Sequence, residues 1–245
     1  MTYAHWLRDF ETEAERRRLR DDPPWGRGAQ LHPDVARSIQ RFQVGEAGDG
    51  ANLIAKAGGD DYAAAVRLFV AEEQNHARML EELLQAAGVP TIASHWSDAV
   101  FVRLRRALGL RLELMVLLIA EVVALRYYRA LRDGTADPLV TRVASLILAD
   151  EERHVPFHCH RLRIGFATLG RPARALVFGA WRLLLLGVTI TVAADHGRAL
   201  RRLGVGRLVF VADVLVAFEA ALARIRGEEP KPRHVPKRAR PRGLF

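Results

Sequence analysis

Two Glu-x-x-His tetrads, each preceded by a lone glutamate, constrain this chain more than any other feature of its sequence. The six residues concerned are Glu46, Glu73, His76, Glu121, Glu151 and His154. A glutamate and a histidine three positions apart on an α-helix lie on the same face. Each tetrad therefore directs a carboxylate and an imidazole to one side of its helix.

The positions of the helix breaks place the four glutamates at matching levels. The breaks fall at Gly58-Gly59 and at residues 134–137, and each glutamate lies 12 to 14 residues from the break in its half of the chain. At ~1.5 Å of rise per residue, all four carboxylates then lie roughly 20 Å from one end of two antiparallel hairpins. The spacing predicts that they face a common interior.

Apolar residues recur at helical spacing and nowhere alternate as in a strand, which predicts an all-α fold. We expect one domain over residues 1–226, with a four-helix metal-binding bundle at about 33–168, and a basic, proline-rich tail over 227–245. A connector at about 88–109 carries a short helix from Ser97 or Asp98. The expected longer helices span 3–21, 33–57, 61–87, 110–132, 138–168, 172–203 and 205–226.

Each of the four bundle helices carries a carboxylate within its apolar face. Burying a charge without a partner is costly, and four buried carboxylates repel one another. Two divalent cations remove that repulsion, because four carboxylates and two imidazoles balance two doubly charged ions. Mixed oxygen and nitrogen ligands favour iron or manganese over a structural zinc site.

This pattern resembles the ferritin-like di-iron bundles, in which two helices supply one Glu each and two others supply Glu-x-x-His. The string from Asp150 to His154 is similar to the D-E-x-R-H signature of the oxygen-activating branch. The resemblance implies that Glu73 and Glu151 bridge the metals. It also implies that Glu46 and His76 bind one metal, and that Glu121 and His154 bind the other.

The resemblance also implies a second layer of residues behind the ligands. Asp150 is expected to accept a hydrogen bond from His76, and Glu72 from His154, which fixes the tautomer of each imidazole. Tyr128, two turns after Glu121, can approach the site or belong to the core. His158, one turn after His154, can be a proton donor, a group behind the ligands or a core histidine.

Two oxygenase types are similar over short stretches. Gly45-Glu46 to Asn52 is similar to aldehyde-deformylating oxygenase, and this stretch with 73–90 and Asp150-Glu151 is similar to demethoxyubiquinone hydroxylase. These resemblances imply a di-iron oxidoreductase, Fe/Fe or Mn/Fe, that uses O2 to oxidise a small apolar organic substrate. An external electron donor is then required, and neither haem nor flavin is expected. The alternatives are a ferroxidase or peroxide scavenger, and a binding protein that a metal merely stabilises.

Composition bears on partners and location. The single cysteine excludes an internal disulfide framework and a four-cysteine metal site. The N-terminus has no signal-peptide pattern, so we expect a cytoplasmic protein. The net charge of +9 without stacking aromatic residues does not favour nucleic acid as a partner. Segment 175–194 is apolar apart from Arg182, which leaves a buried helix, a membrane-docking surface or a span open. A homodimer is also compatible with the sequence.

Overall fold

The chain folds into a bundle of α-helices, as seen in a computed structural model that describes residues 2–48, 50–96 and 109–228. No β-strand occurs among these residues, and the predicted all-α class is confirmed. A 3₁₀ turn covers Trp25–Arg27. The helices are α1 (Tyr3–Leu19), α2 (Pro33–Glu46), α3 (Ala51–Lys56), α4 (Asp60–Ala86), α5 (Leu110–Gly134), α6 (Pro138–Phe166), α7 (Arg171–Asp195), α8 (Gly197–Arg202) and α9 (Arg207–Arg226).

Helices α2, α4, α5 and α6 form the central bundle, in which α2 packs on α4, and α6 packs on both α5 and α4. Their start signals are local. Pro33 occupies the first turn of α2, and Asp137 caps α6 by accepting hydrogen bonds from the amides of Leu139 and Val140 at 2.9 and 3.0 Å. One continuous apolar core runs from Trp6 to Ile225. The bundle brings together the helices that carry the two tetrads.

The predicted helix 33–57 is wrong in one respect, because it is interrupted after Glu46. Gly50 adopts a left-handed conformation with φ of 61°, and a Cβ atom there would meet the Val70 side chain at 2.5 Å. Only glycine tolerates both this backbone and this close approach. Glu46 is consequently the last residue of α2 and not an interior helical position.

The C-terminal helices also divide differently from the prediction. The expected helix 172–203 ends at Asp195, and His196 separates it from the short helix α8. The expected short helix from Ser97 or Asp98 lies outside the described residues, as does the tail beyond residue 228.

Helix α7 packs on the bundle with one face and leaves the other exposed. Trp181 and Leu185 are buried against α5 and α9, whereas Leu176, Leu183 and Ile190 are exposed by 76%, 73% and 53%. Among the described residues this helix alone is long and apolar enough to cross a membrane by length and composition. Of its most apolar stretch of 18 residues, 22% is buried. The segment therefore combines a packed face with an unpartnered apolar one.

Candidate metal centre

The bundle brings the six sequence-predicted residues to one place. Their ligand atoms form two groups, each with all its atoms within 4.8 Å of one another. The first group is Glu46, Glu73, His76 and Glu151. The second group is Glu73, Glu121, Glu151 and His154. Two glutamates belong to both groups, one from each tetrad.

These two shared glutamates, Glu73 and Glu151, lie between the histidines. Glu73 Oε1 is 3.5 Å from His76 Nδ1 and 3.2 Å from His154 Nδ1. Glu151 directs its two oxygens apart, with Oε1 at 3.5 Å from His76 Nδ1 and Oε2 at 3.6 Å from His154 Nδ1. Each shared glutamate can therefore contribute to two neighbouring positions.

The remaining glutamates lie at the two ends of this arrangement. Glu46 Oε2 is 4.0 Å from His76 Nδ1, and Glu121 Oε2 is 3.4 Å from His154 Nδ1. The structure thus places one terminal glutamate beside each histidine. The role of each of the six residues as a ligand stays a prediction.

Unpartnered polar atoms provide the test of whether metal ions fit here. Within the described part of the chain, the buried atoms at the centre without a hydrogen-bond partner are Glu73 Oε1, His76 Nδ1, Glu121 Oε2, Glu151 Oε2 and His154 Nδ1. Leaving so many lone pairs unsatisfied in one buried spot is costly. Cations bound between these side chains would satisfy all five atoms at once. The donor set of carboxylate oxygens and imidazole nitrogens suits iron or manganese, so the residues fit a pair of such ions.

The protonation behaviour of the carboxylates supports the same conclusion. Burial, followed by the negative charge of Glu121, raises the pKa of Glu151 to about 8. Burial, followed by the charges of Glu73 and Glu151, raises the pKa of Glu46 well above its ordinary value. Without counter-ions the site therefore holds protons that cations would replace.

Two further carboxylates hold the far sides of the histidine rings. Asp150 Oδ2 lies 3.1 Å from His76 Nε2, and Glu72 Oε2 lies 2.8 Å from His154 Nε2. Burial alone would raise the pKa of Asp150, but the hydrogen bond and charge of His76 outweigh it and lower the pKa to about 2. An ionised carboxylate at Nε2 keeps the proton there and leaves Nδ1 free as a metal ligand.

Helix α1 contributes residues to the site that sequence reasoning missed. Arg17 forms an ion pair with Glu72 and lies 4.0 Å from Asp150, and Arg153 contacts the same two carboxylates at 2.8 and 3.0 Å. Phe10 stacks on the His154 ring with centroids 6.3 Å apart. Arginine and phenylalanine in a charged helix give no local signal of this contact, since only the packing of α1 on α4 reveals it.

Tyr128 and His158 take different positions around the ligands. The Tyr128 hydroxyl donates a 2.6 Å hydrogen bond to Glu46 Oε1. His158 is fully buried with Nε2 at 3.6 Å from Glu121 Oε1, and neither of its ring nitrogens has a hydrogen-bond partner among the residues that the structure describes. Tyr128 therefore restrains one candidate ligand, Glu46, and His158 lies beside another, Glu121.

Comparison with known proteins gives one family. The family described as P-aminobenzoate N-oxygenase AurF matches residues 55–224, which are 170 of the chain's 245 residues. The matched region includes both tetrads and Glu121, while Glu46 lies before it. No curated protein matches the chain.

Proposed function

Because the chain belongs to the family of p-aminobenzoate N-oxygenase AurF, we propose that it uses O2 to oxidise the amino nitrogen of an aromatic amine. Proteins of this family are ferritin-like, non-haem di-iron oxygenases. The predicted superfamily, the oxidoreductase class and the pair of iron ions are thereby confirmed. The matched family differs from the two oxygenase types that short stretches of the sequence resemble, and it favours an aromatic substrate.

One observation supports the assignment of the site most strongly: Glu73 and Glu151 belong to both groups of ligand atoms. Both glutamates would therefore help to hold each of the two ions. Glu46 with His76 would complete one position, and Glu121 with His154 would complete the other. When bound, two ferrous ions supply electrons for the reduction of O2 and a Lewis-acid template for the substrate.

The residues of the chain hold this site in a fixed protonation state. Asp150 and Glu72 keep the protons of His76 and His154 on Nε2, so that both Nδ1 atoms point inward. Arg17 and Arg153 neutralise these two carboxylates from outside. Tyr128 donates to Glu46 Oε1 and leaves Oε2 directed toward His76.

The overall reaction defines what else the protein needs. One oxygen atom enters an N–H bond of the amine to give a hydroxylamine, and the other leaves as water. This balance consumes two electrons and two protons in addition to the amine and O2. An external electron donor is therefore part of the proposal.

The proposal is tested on the full chain loaded with ferrous iron under anaerobic conditions. We expect about two irons per chain, loss of the ferrous state on mixing with O2, and a hydroxylated product from p-aminobenzoate or a related arylamine by mass spectrometry. Heavy-isotope dioxygen should place its label in the product. His154→Ala should lose iron and product while far-UV circular dichroism stays helical, whereas His160→Ala on the same helix should retain both.

Other outcomes would indicate the alternatives. Oxidation of many irons per chain without an amine product would indicate a ferroxidase. Bound metal that never responds to O2 would indicate a binding protein that the metal stabilises. Full iron content in His154→Ala would refute the assignment of the ligands.

A further inference from the structure

A basic cleft lies where the end of α7, helix α8 and the start of α9 meet α2, and its volume is about 330 Å³. Together with an adjoining cleft that shares Asp34 and Arg198, it presents six arginines from the described part of the chain. These are Arg37, Arg41, Arg198, Arg201, Arg202 and Arg207. The two acids that the described residues contribute to its wall are already ion-paired, Asp195 with Arg41 at 2.9 Å and Asp34 with Arg37. The excess of positive charge would attract an acidic partner.

Two buried polar residues, Ser38 and His196, line the bottom of this basic cleft. Ser38 Oγ lies 2.7 Å from His196 Nδ1 and 2.9 Å from the Tyr127 hydroxyl. Burial lowers the pKa of His196 to about 4, so its imidazole is neutral at pH 7. Ser38 and the neutral His196 thus connect the cleft to the aromatic side chains inside the bundle.

A continuous set of aromatic rings leads from His196 to the candidate metal centre. The Phe42 ring lies 5.1 Å from the His196 ring and stacks on Tyr127 at 3.7 Å with an interplanar angle of 9°. Phe42 also contacts the Tyr128 ring at 5.7 Å. The Tyr128 hydroxyl then donates to Glu46. Electronic coupling is stronger through closely packed rings than through gaps, which makes this set a route for electrons.

We propose that the basic cleft is the docking face for a small acidic electron-transfer protein, and that electrons pass to the metal centre through His196, Phe42 and the two tyrosines. This inference rests on the proposed function, because an oxygenase of this kind needs two external electrons for each O2. Each encounter oxidises the donor's iron–sulfur or flavin group by one electron and reduces one ferric ion to ferrous. Two encounters prepare the site, and no bond of the chain is made or broken.

The docking face is tested by following electron transfer in the absence of organic substrate. Ferric protein is mixed anaerobically with a chemically reduced, acidic [2Fe–2S] ferredoxin, and the donor's visible absorbance is recorded by stopped flow. We expect a second-order rate that falls with added salt and that Arg198→Glu lowers about tenfold at low salt. Arg171→Glu carries the same change of charge at the opposite end of α7 and should leave the rate unchanged.

The aromatic route is tested by Phe42→Leu at saturating donor. We expect a severalfold lower first-order rate, unchanged iron content, and unchanged reduction by dithionite with a small viologen mediator. Phe42→Tyr should restore the rate because it restores the ring. Phe178→Leu, a buried phenylalanine packed against Trp181 and away from the route, is the matched control.

Several results would overturn the inference. A transfer rate that changes neither with added salt nor with Arg198→Glu would refute the docking face. An unchanged first-order rate in Phe42→Leu would refute the route. Normal transfer without any amine product would refute the proposed function and leave this inference standing. The opposite result is also informative. If the ferredoxin does not reduce the protein, but chemically reduced protein still oxidises the amine, this inference is refuted and the proposed function stands.

Discussion

Removing the metal ions should make the stability of this protein fall steeply as pH rises. In the metal-free chain, burial and then the charge of Glu121 raise the pKa of Glu151 from an ordinary 4.5 to about 8. Between these two values the unfolded carboxyl is ionised while the folded one is still protonated. The unfolded state then binds fewer protons, so the free energy of unfolding decreases with increasing pH.

The size of the effect follows from the same values. Each pH unit in this window costs about 1.4 kcal/mol, which gives a loss of about 4 kcal/mol between about pH 5 and about pH 8. The pKa values of His76 and His154 are raised: their burial opposes protonation, but the carboxylates around each ring outweigh it. The stability that their protonation gives to the folded state is therefore also lost as pH rises. The lowered pKa of Asp150 acts below this window, and the lowered pKa of His196 opposes the decrease only up to about pH 6.5.

The measurement is urea unfolding of metal-free protein, followed by far-UV circular dichroism across this pH range. Glu151→Gln should flatten the dependence, whereas Glu152→Gln, an exposed neighbour on the same helix, should not. Iron-loaded protein should lack the decrease, because cations replace the protons. A metal-free stability that does not change with pH, or an equal flattening by both variants, would refute the account of buried carboxylate repulsion.

Three further predictions concern the surroundings of the site. Asp150→Asn should weaken iron binding about 10–100-fold by equilibrium dialysis, since the carboxylate behind His76 is lost, and unchanged affinity would argue against that role. Gly50→Ala should lower the free energy of unfolding by about 1–3 kcal/mol because of its left-handed backbone and the Val70 contact. Gly45→Ala is the control, because a Cβ atom there meets no other atom within 4 Å, and it should raise the free energy of unfolding by about 0.5 kcal/mol. On α7, Leu185→Ala should cost about 2–5 kcal/mol and the exposed Leu183→Ala close to nothing in urea unfolding; equal losses would contradict the packing of this helix.

The interruption after Glu46 shows where local sequence signals stop being sufficient. Apolar periodicity extends through Leu53 and Ala57 and predicts one helix, yet Gly50 turns the backbone beside Val70 of α4. That close approach depends on a residue 20 positions away in the chain. Helical spacing carries no information about it.

The residues of the candidate centre could be named from sequence because their pattern is local. A glutamate and a histidine three apart share a helix face, and break positions set the level of that face along the bundle. Contacts made by whole helices could not be found in this way. The ion pair of Arg17 with Glu72 and the ring contacts of Phe42 with His196 join residues from distant parts of the chain. Periodicity tells which side of a helix is buried, but only the packed tertiary structure decides which partner that side meets.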